Sequence, residues 1–252
     1  MNNIEIQYKT AKNLNTRISI HDKYSTNQQG FGNWILSQYD IIPGAKILEL
    51  GCGTGSMWQN NLHLLGDAHL LLTDFSPGML ESAKQNLPKQ ENLSFQIVDI
   101  QNIPYPENSF DLVIANMMLY HVPDLHQGLR EVRRVLKPGG KFYCATYGEH
   151  GIVEFVAELL RDQDVSGKIG TAFTLQNGCT VLSQHFKQVL RLDYEDALAI
   201  TNIDDFIDYI SSLSSLSNIA NVPRSVLAEA LESKAENGIL HVPKEYGIFI
   251  CQ

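Results

Sequence analysis

The chain has 252 residues, 44% of them hydrophobic and 19% charged, and a formal net charge of −9 at neutral pH. That length suits one sizeable α/β domain or one with a small elaboration, and the acidic balance argues against nucleic acid, whose phosphates are met by lysine and arginine. The one locally basic stretch, LREVRRVLK at 129–137, reads as the solvated face of a helix.

Residues 1–40 precede any strand pattern and are expected to form helices that cover one end of a sheet. KILEL (46–50) reads as a buried strand with a helix starting near Ser56, and HLLLT (69–73) as a second strand. SPGMLESAKQNL (76–87) begins with Ser76 as N-cap and Pro77 at the first helical position, a sound helix start. LSFQIV (93–98) and FDLVIA (110–115) supply strands three and four. Asp124 caps a helix whose Leu125, Leu129, Val132 and Leu136 share one face. KPGG (137–140) is a tight turn before a fifth strand, KFYCATY (141–147). Strands alternating with helices argue for a parallel sheet with right-handed crossovers.

Beyond residue 148 the pattern loosens. Helices are expected over 153–160, 179–186, 202–213 (Asn202 as cap) and 223–238, with strands at 187–194 and 245–252. The N-terminus carries no apolar core of signal-peptide length, and no run reaches the roughly 18 apolar residues of a membrane span. Cys52, Cys144, Cys179 and Cys251 are far apart without a CxxC pair, so neither a disulfide framework nor a zinc site is expected and a reducing cytoplasm fits. His121 and His126 flank a proline turn instead of forming HExxH, and no metal is expected.

GCGTG (51–55) follows the first strand. Three glycines there serve close backbone approach to a ligand, at the strand end where open parallel sheets bind one. A dinucleotide fingerprint needs its third glycine at position 56, where Ser56 stands. Asp74 ends the second strand and offers a carboxylate for two vicinal ribose hydroxyls, or an Asx turn ahead of Ser76-Pro77. Asp99 ends the third and suits an exocyclic amine, with Phe75, Met79 and Ile100 sandwiching the ring, or is simply a polar turn residue.

The motifs ILELGCGTG, LLTDFSPGML, VDIQNIPY, FDLVIANMMLYHVPD and LREVRRVLKPGGKFY occur in the order and spacing of class I S-adenosylmethionine-dependent methyltransferases. The chain resembles the type 11-like small-molecule group over about 45–148. The resemblance implies a Rossmann-like three-layer α/β sandwich, with a seven-stranded, mostly parallel sheet and an antiparallel last strand. It divides the chain into a helical cap (1–40), a cofactor-binding core (41–148), and helical insertions with the last two strands (149–252). By position it places Glu49, Gly51, Cys52, Gly53 and Gly55 around the methionine part of the cofactor. Asp74 falls on the ribose, Asp99 with Ile100 on the adenine, and Asn116 under the sulfonium region.

Methyl transfer from a sulfonium needs orientation more than covalent help, and a base only where the acceptor carries a proton. Tyr120, His121 and Tyr147 are candidate walls of an acceptor pocket, with His121 a base or a purely structural residue. IHDKYSTNQQGFGNW (20–34) is dense in polar and aromatic groups. Tyr24 is expected to bond the methionine carboxylate or line the pocket with His21 and Lys23, and a surface-only role stays open. No [ND]PP[YF] follows the fourth strand, which disfavours adenine or glutamine amino groups and leaves a small molecule as acceptor. A nicotinamide oxidoreductase and a non-catalytic S-adenosylmethionine binder are the alternatives. The oligomeric state is not legible.

Overall fold

The computed structural model describes residues 19–167, 171–213 and 215–252. Its strands are β1 (Lys46–Leu50), β2 (His69–Asp74), β3 (Leu93–Ile97), β4 (Phe110–Ile114), β5 (Leu136–Tyr147), β6 (Ser166–Gly167), β7 (Val189–Tyr194), β8 (Ala197–Ile200), β9 (Leu216–Ser217), β10 (Leu240–Pro243) and β11 (Tyr246–Cys251). Helices are α1 (Phe31–Ser37), α2 (Pro77–Asn86), α3 (Leu125–Val135), α4 (Ile152–Leu159), α5 (Gly178–Leu182), α6 (Ile203–Ser211) and α7 (Arg224–Glu232), and residues 19–24 are also helical. The expected helices of residues 1–18 lie outside the described residues.

Seven strands form one sheet in the order β3-β2-β1-β4-β5-β11-β7. β1 to β5 pair in parallel, and β11 runs antiparallel to both β5 and β7. The pleat sends alternate side chains to opposite faces, so Leu48, Leu50 and Val113 join α3 in one core while Ile47, Leu70, Leu72 and Ile114 join α1 in another. The fold is the Rossmann-like sandwich expected. A third apolar cluster, built from α4, α6, α7 and the antiparallel pair β8–β10 together with Ile20, stands apart from the sheet.

Three local expectations are corrected. No α-helix follows β1: the chain makes two 3₁₀ turns, Ser56–Trp58 and Leu62–Leu65. The Asn61 side-chain amide donates to the Met57 carbonyl at 2.8 Å, taking the acceptor that an α-helix would give its own N–H. Leu136 opens β5 instead of continuing α3. It pairs with Phe110, and the register then jumps so that Leu112 pairs with Lys141, leaving 137–140 as a bulge. The last helix stops at Glu232, because Asn237 and Gly238 at φ 51° and 78° turn the chain into β10. β8 and β10 were not expected at all.

Asp124 caps α3, its Oδ1 accepting from the Gln127 N–H at 2.9 Å. Asp124→Ala removes that acceptor, and thermal or urea unfolding is expected to show a loss of about 1 kcal/mol; an unchanged midpoint would mean that water serves the orphaned N–H equally well.

Candidate functional site

A cleft of about 1640 Å³ opens at the carboxyl ends of the parallel strands. That exceeds the roughly 300–1,000 Å³ of a single small-molecule site, so it has room for two molecules side by side. One end is built from the tips of β1, β2 and β3, the other from β5, α4, α6 and the turn before β11.

The β1 tip is bent by Gly51, Gly53 and Gly55, all left-handed at φ 70°, 56° and 70°, a region that costs other residues about 1–2 kcal/mol. Gly51 and Gly53 line the cleft. A Cβ on Gly51 would come within 2.9 Å of Met118, so its bare backbone is what lets the Met118 side chain pack against the bend. Gly55 does not line the cleft. It is buried, and a Cβ there would meet Leu87 at 2.9 Å and Ala83 at 3.3 Å, so this glycine lets the turn close on α2.

The bend is tied to the next strand. The Gly53 N–H donates to Asp74 Oδ2 at 2.9 Å and the Ser76 N–H to Oδ1 at 2.8 Å. The Asx turn is therefore real, yet each carboxylate oxygen keeps a further lone pair and Asp74 lines the cleft. Burial raises its pKa against the pull of these two amides. Asp99 lines the same cleft, held by the Gln101 N–H at 2.8 Å. Buried Met79 and Ile100 and exposed Phe75 line the cleft together with the two acids.

Glu49 and Cys52 lie on the floor. Glu49 is fully enclosed and accepts from the indole N–H of Trp58, a residue the motif reading passed over. Burial pushes its pKa from 4.5 to about 7, with the Asp74 charge adding to the rise. Burial also raises the Cys52 thiol. Asn116 lines the cleft but is committed on both sides: its Nδ2 donates to Tyr39 Oη at 2.6 Å and its Oδ1 accepts from the Ala145 N–H at 3.1 Å.

At the other end, Tyr120, His121, Tyr147 and His21 all line the cleft, as the sequence suggested. The Tyr120 ring stands 4.5 Å from both the His121 and Tyr147 rings. Tyr24 is corrected: its hydroxyl donates to Asp205 at 2.6 Å, away from the cleft, and its ring packs on the α6–α7 cluster. Lys23 reaches the lining but pairs with Asp205 at 3.0 Å. Met57, Met118, Ile152, Tyr209, Lys244 and Tyr246 also line the cleft and were missed. Ile152, Tyr209 and Lys244 come from segments that reach the cleft through tertiary packing alone, and Tyr246 opens β11.

Glu49 carries a prediction whose sign follows from linkage. Its folded pKa lies above the unfolded one, so its contribution is fully present below pH 4.5 and is lost as pH rises through 7. Glu49→Gln keeps the acceptor for Trp58 without the charge. Melting curves should show the variant level with the parent at pH 5 and ahead by up to about 3 kcal/mol at pH 8.5. A gap that does not widen with pH would mean that the carboxylate is solvated.

Comparison with known proteins matches residues 48–144 to the methyltransferase-domain family. Over 111 residues the chain is 36% identical to a demethylmenaquinone methyltransferase of Staphylococcus epidermidis, covering 44% of this chain and 46% of that protein. The chain thus spans about half the length of the curated relatives it matches. Phosphoethanolamine N-methyltransferase 2 of Haemonchus contortus, solved with S-adenosyl-L-methionine, superposes with a TM-score of 0.61 at 17% identity, over 98% of this chain and 58% of that one. The [4+2]-cyclase SpnF superposes with a TM-score of 0.60 at 16% identity, over 99% and 95%. At such identities these structures share the fold.

Proposed function

We propose that this chain, whose residues 48–144 match the methyltransferase-domain family, is a class I S-adenosylmethionine-dependent methyltransferase that binds S-adenosylmethionine at the β1–β3 end of its cleft and methylates a small molecule held at the other end. The observation that carries the reading is the convergence of the bare Gly51–Gly53 bend, Asp74 and Asp99 on one cavity large enough for two ligands. S-adenosylmethionine supplies a methyl group on a positively charged sulfur, which is an activated electrophile. Asp74 has lone pairs left for the ribose hydroxyls, and Asp99 for the adenine amine. The Gly51–Gly53 backbone takes the methionine tail, and the carboxylates of Asp74 and Asp99 give this end negative potential that suits a cation. The chain's task is then orientation and exclusion of water, worth roughly 7–11 kcal/mol in favourable cases.

The 3₁₀ turn after the glycines also argues against a nicotinamide dinucleotide. A pyrophosphate is met by the N-terminus of an α-helix, and Ser56–Trp58 is a single short turn. The names of the matched relatives support a small-molecule acceptor. The second reading is a cofactor-binding protein that transfers no methyl, which the same glycine bend and acids would serve equally well.

Calorimetric titration is expected to show S-adenosylhomocysteine binding and no heat with NADH. Asp74→Ala removes a charged partner worth about 1.5–3 kcal/mol, a loss of roughly tenfold to a hundredfold in affinity. Unaltered affinity would place the ribose elsewhere. Radiolabelled methyl groups reaching any component of a metabolite extract separate the transferase from the silent binder.

A further inference from the structure

Among the described residues, every charged side chain at the acceptor end other than exposed Asp22 is turned onto a partner in the protein. Lys244, whose side chain is 1% exposed, pairs with the fully buried carboxylate of Asp196 and donates to Ser25 Oγ at 3.1 Å. Lys23 pairs with Asp205. Glu245 accepts from Gln176 Nε2 at 2.7 Å and from the His150 N–H at 2.8 Å. Glu149 accepts from Thr174 Oγ1 at 2.8 Å. No arginine lines the cleft among the described residues.

Several rings face the space. Tyr120 and Tyr147 have centroids 4.5 Å apart, Tyr147 is the cross-strand partner of Tyr246, and His21 packs edge-on against Tyr209 and Tyr246 at 5.8 Å each. Ile152, Val153 and Leu213 add apolar surface to the lining, and Asn27, Gln28 and Ser215 neutral polar groups.

We propose that this end of the cleft selects a ring-bearing acceptor without negative charge and rejects acceptors that carry a carboxylate or phosphate group. The proposal rests on the methyl-transfer reading and deepens it. An anion entering here finds both lysines already paired with carboxylates, and pays for desolvation without a counter-charge. It also meets Glu149 and Glu245, whose own partners are a hydroxyl, an amide and a backbone N–H. Burial pushes the His21 imidazole from 6.5 to about 3, so it faces the guest uncharged. Among the described residues its Nδ1 has no hydrogen-bond partner. A planar neutral ring meets the tyrosines by offset or edge-on packing, worth about 0.5–1.5 kcal/mol beyond the area it buries.

The test uses two probes of one shape: 4-methylcatechol (neutral) and 3,4-dihydroxybenzoate (anionic). Each is titrated by ligand-observed NMR into the full chain saturated with S-adenosylhomocysteine. 4-Methylcatechol is expected to bind at least about tenfold more tightly than the anionic analogue, with nuclear Overhauser contacts from its methyl group to tyrosine ring protons. The anionic analogue binding as well or better, absent tyrosine contacts, or no binding of 4-methylcatechol would each overturn the proposal. Failure of S-adenosylhomocysteine itself to bind, measured first by calorimetry, would instead overturn the methyl-transfer reading, and this proposal with it.

Discussion

The site hangs on one carboxylate. Asp74, at the tip of β2, receives the Gly53 N–H on one oxygen and the Ser76 N–H on the other, so it fixes the bend after β1 and the entry to α2 together. Below it the Cys52 N–H reaches the Thr73 carbonyl at 2.8 Å, and Thr73 Oγ1 donates to the Glu49 carbonyl at 2.7 Å. Buried donors of this kind rarely go unpaired, and here their pairing makes the floor of a cavity. Left-handed glycines permit the bend; the carboxylate holds it in place.

What sequence could show and what it could not divide along contact range. The strand tips, Ser76, Asp124 and Asn202 as caps, and the two acids are signalled by residues within a few positions of one another. The antiparallel β11 followed from family resemblance, since EYGIFICQ alone says nothing of direction. The 3₁₀ turns after β1 depended on an Asn61 side chain competing for a backbone carbonyl, and glycine spacing does not encode that. Lys23 and Tyr24 lie two and three positions after His21, yet both reach Asp205 while His21 faces the cleft. The acceptor wall was least legible, because Ile152, Tyr209, Lys244 and Tyr246 come from four separate parts of the chain that meet only through tertiary packing.

The two ends of the cleft differ in electrostatic character, and that division matches two kinds of guest. Toward the β1–β3 tips, acids face the cavity and Glu49 holds a proton near neutrality because it is buried beside another carboxylate. Toward Tyr147 and Tyr246 both lysines are paired with carboxylates, and the Lys244–Asp196 pair ties the turn before β11 to the turn between β7 and β8 and to Ser25. Buried pairs of this kind contribute little net stability. Here the pair joins three chain segments at the rim, so it orders the wall against which an acceptor would lie.

A crystal structure of the protein with S-adenosylhomocysteine bound tests the central claim most directly. The account predicts one ligand spanning the β1–β3 end, with ribose hydroxyls on Asp74, the adenine amine on Asp99 and the homocysteine tail along Gly51–Gly53. A ligand lodged elsewhere, or one that leaves either carboxylate facing solvent, would contradict it.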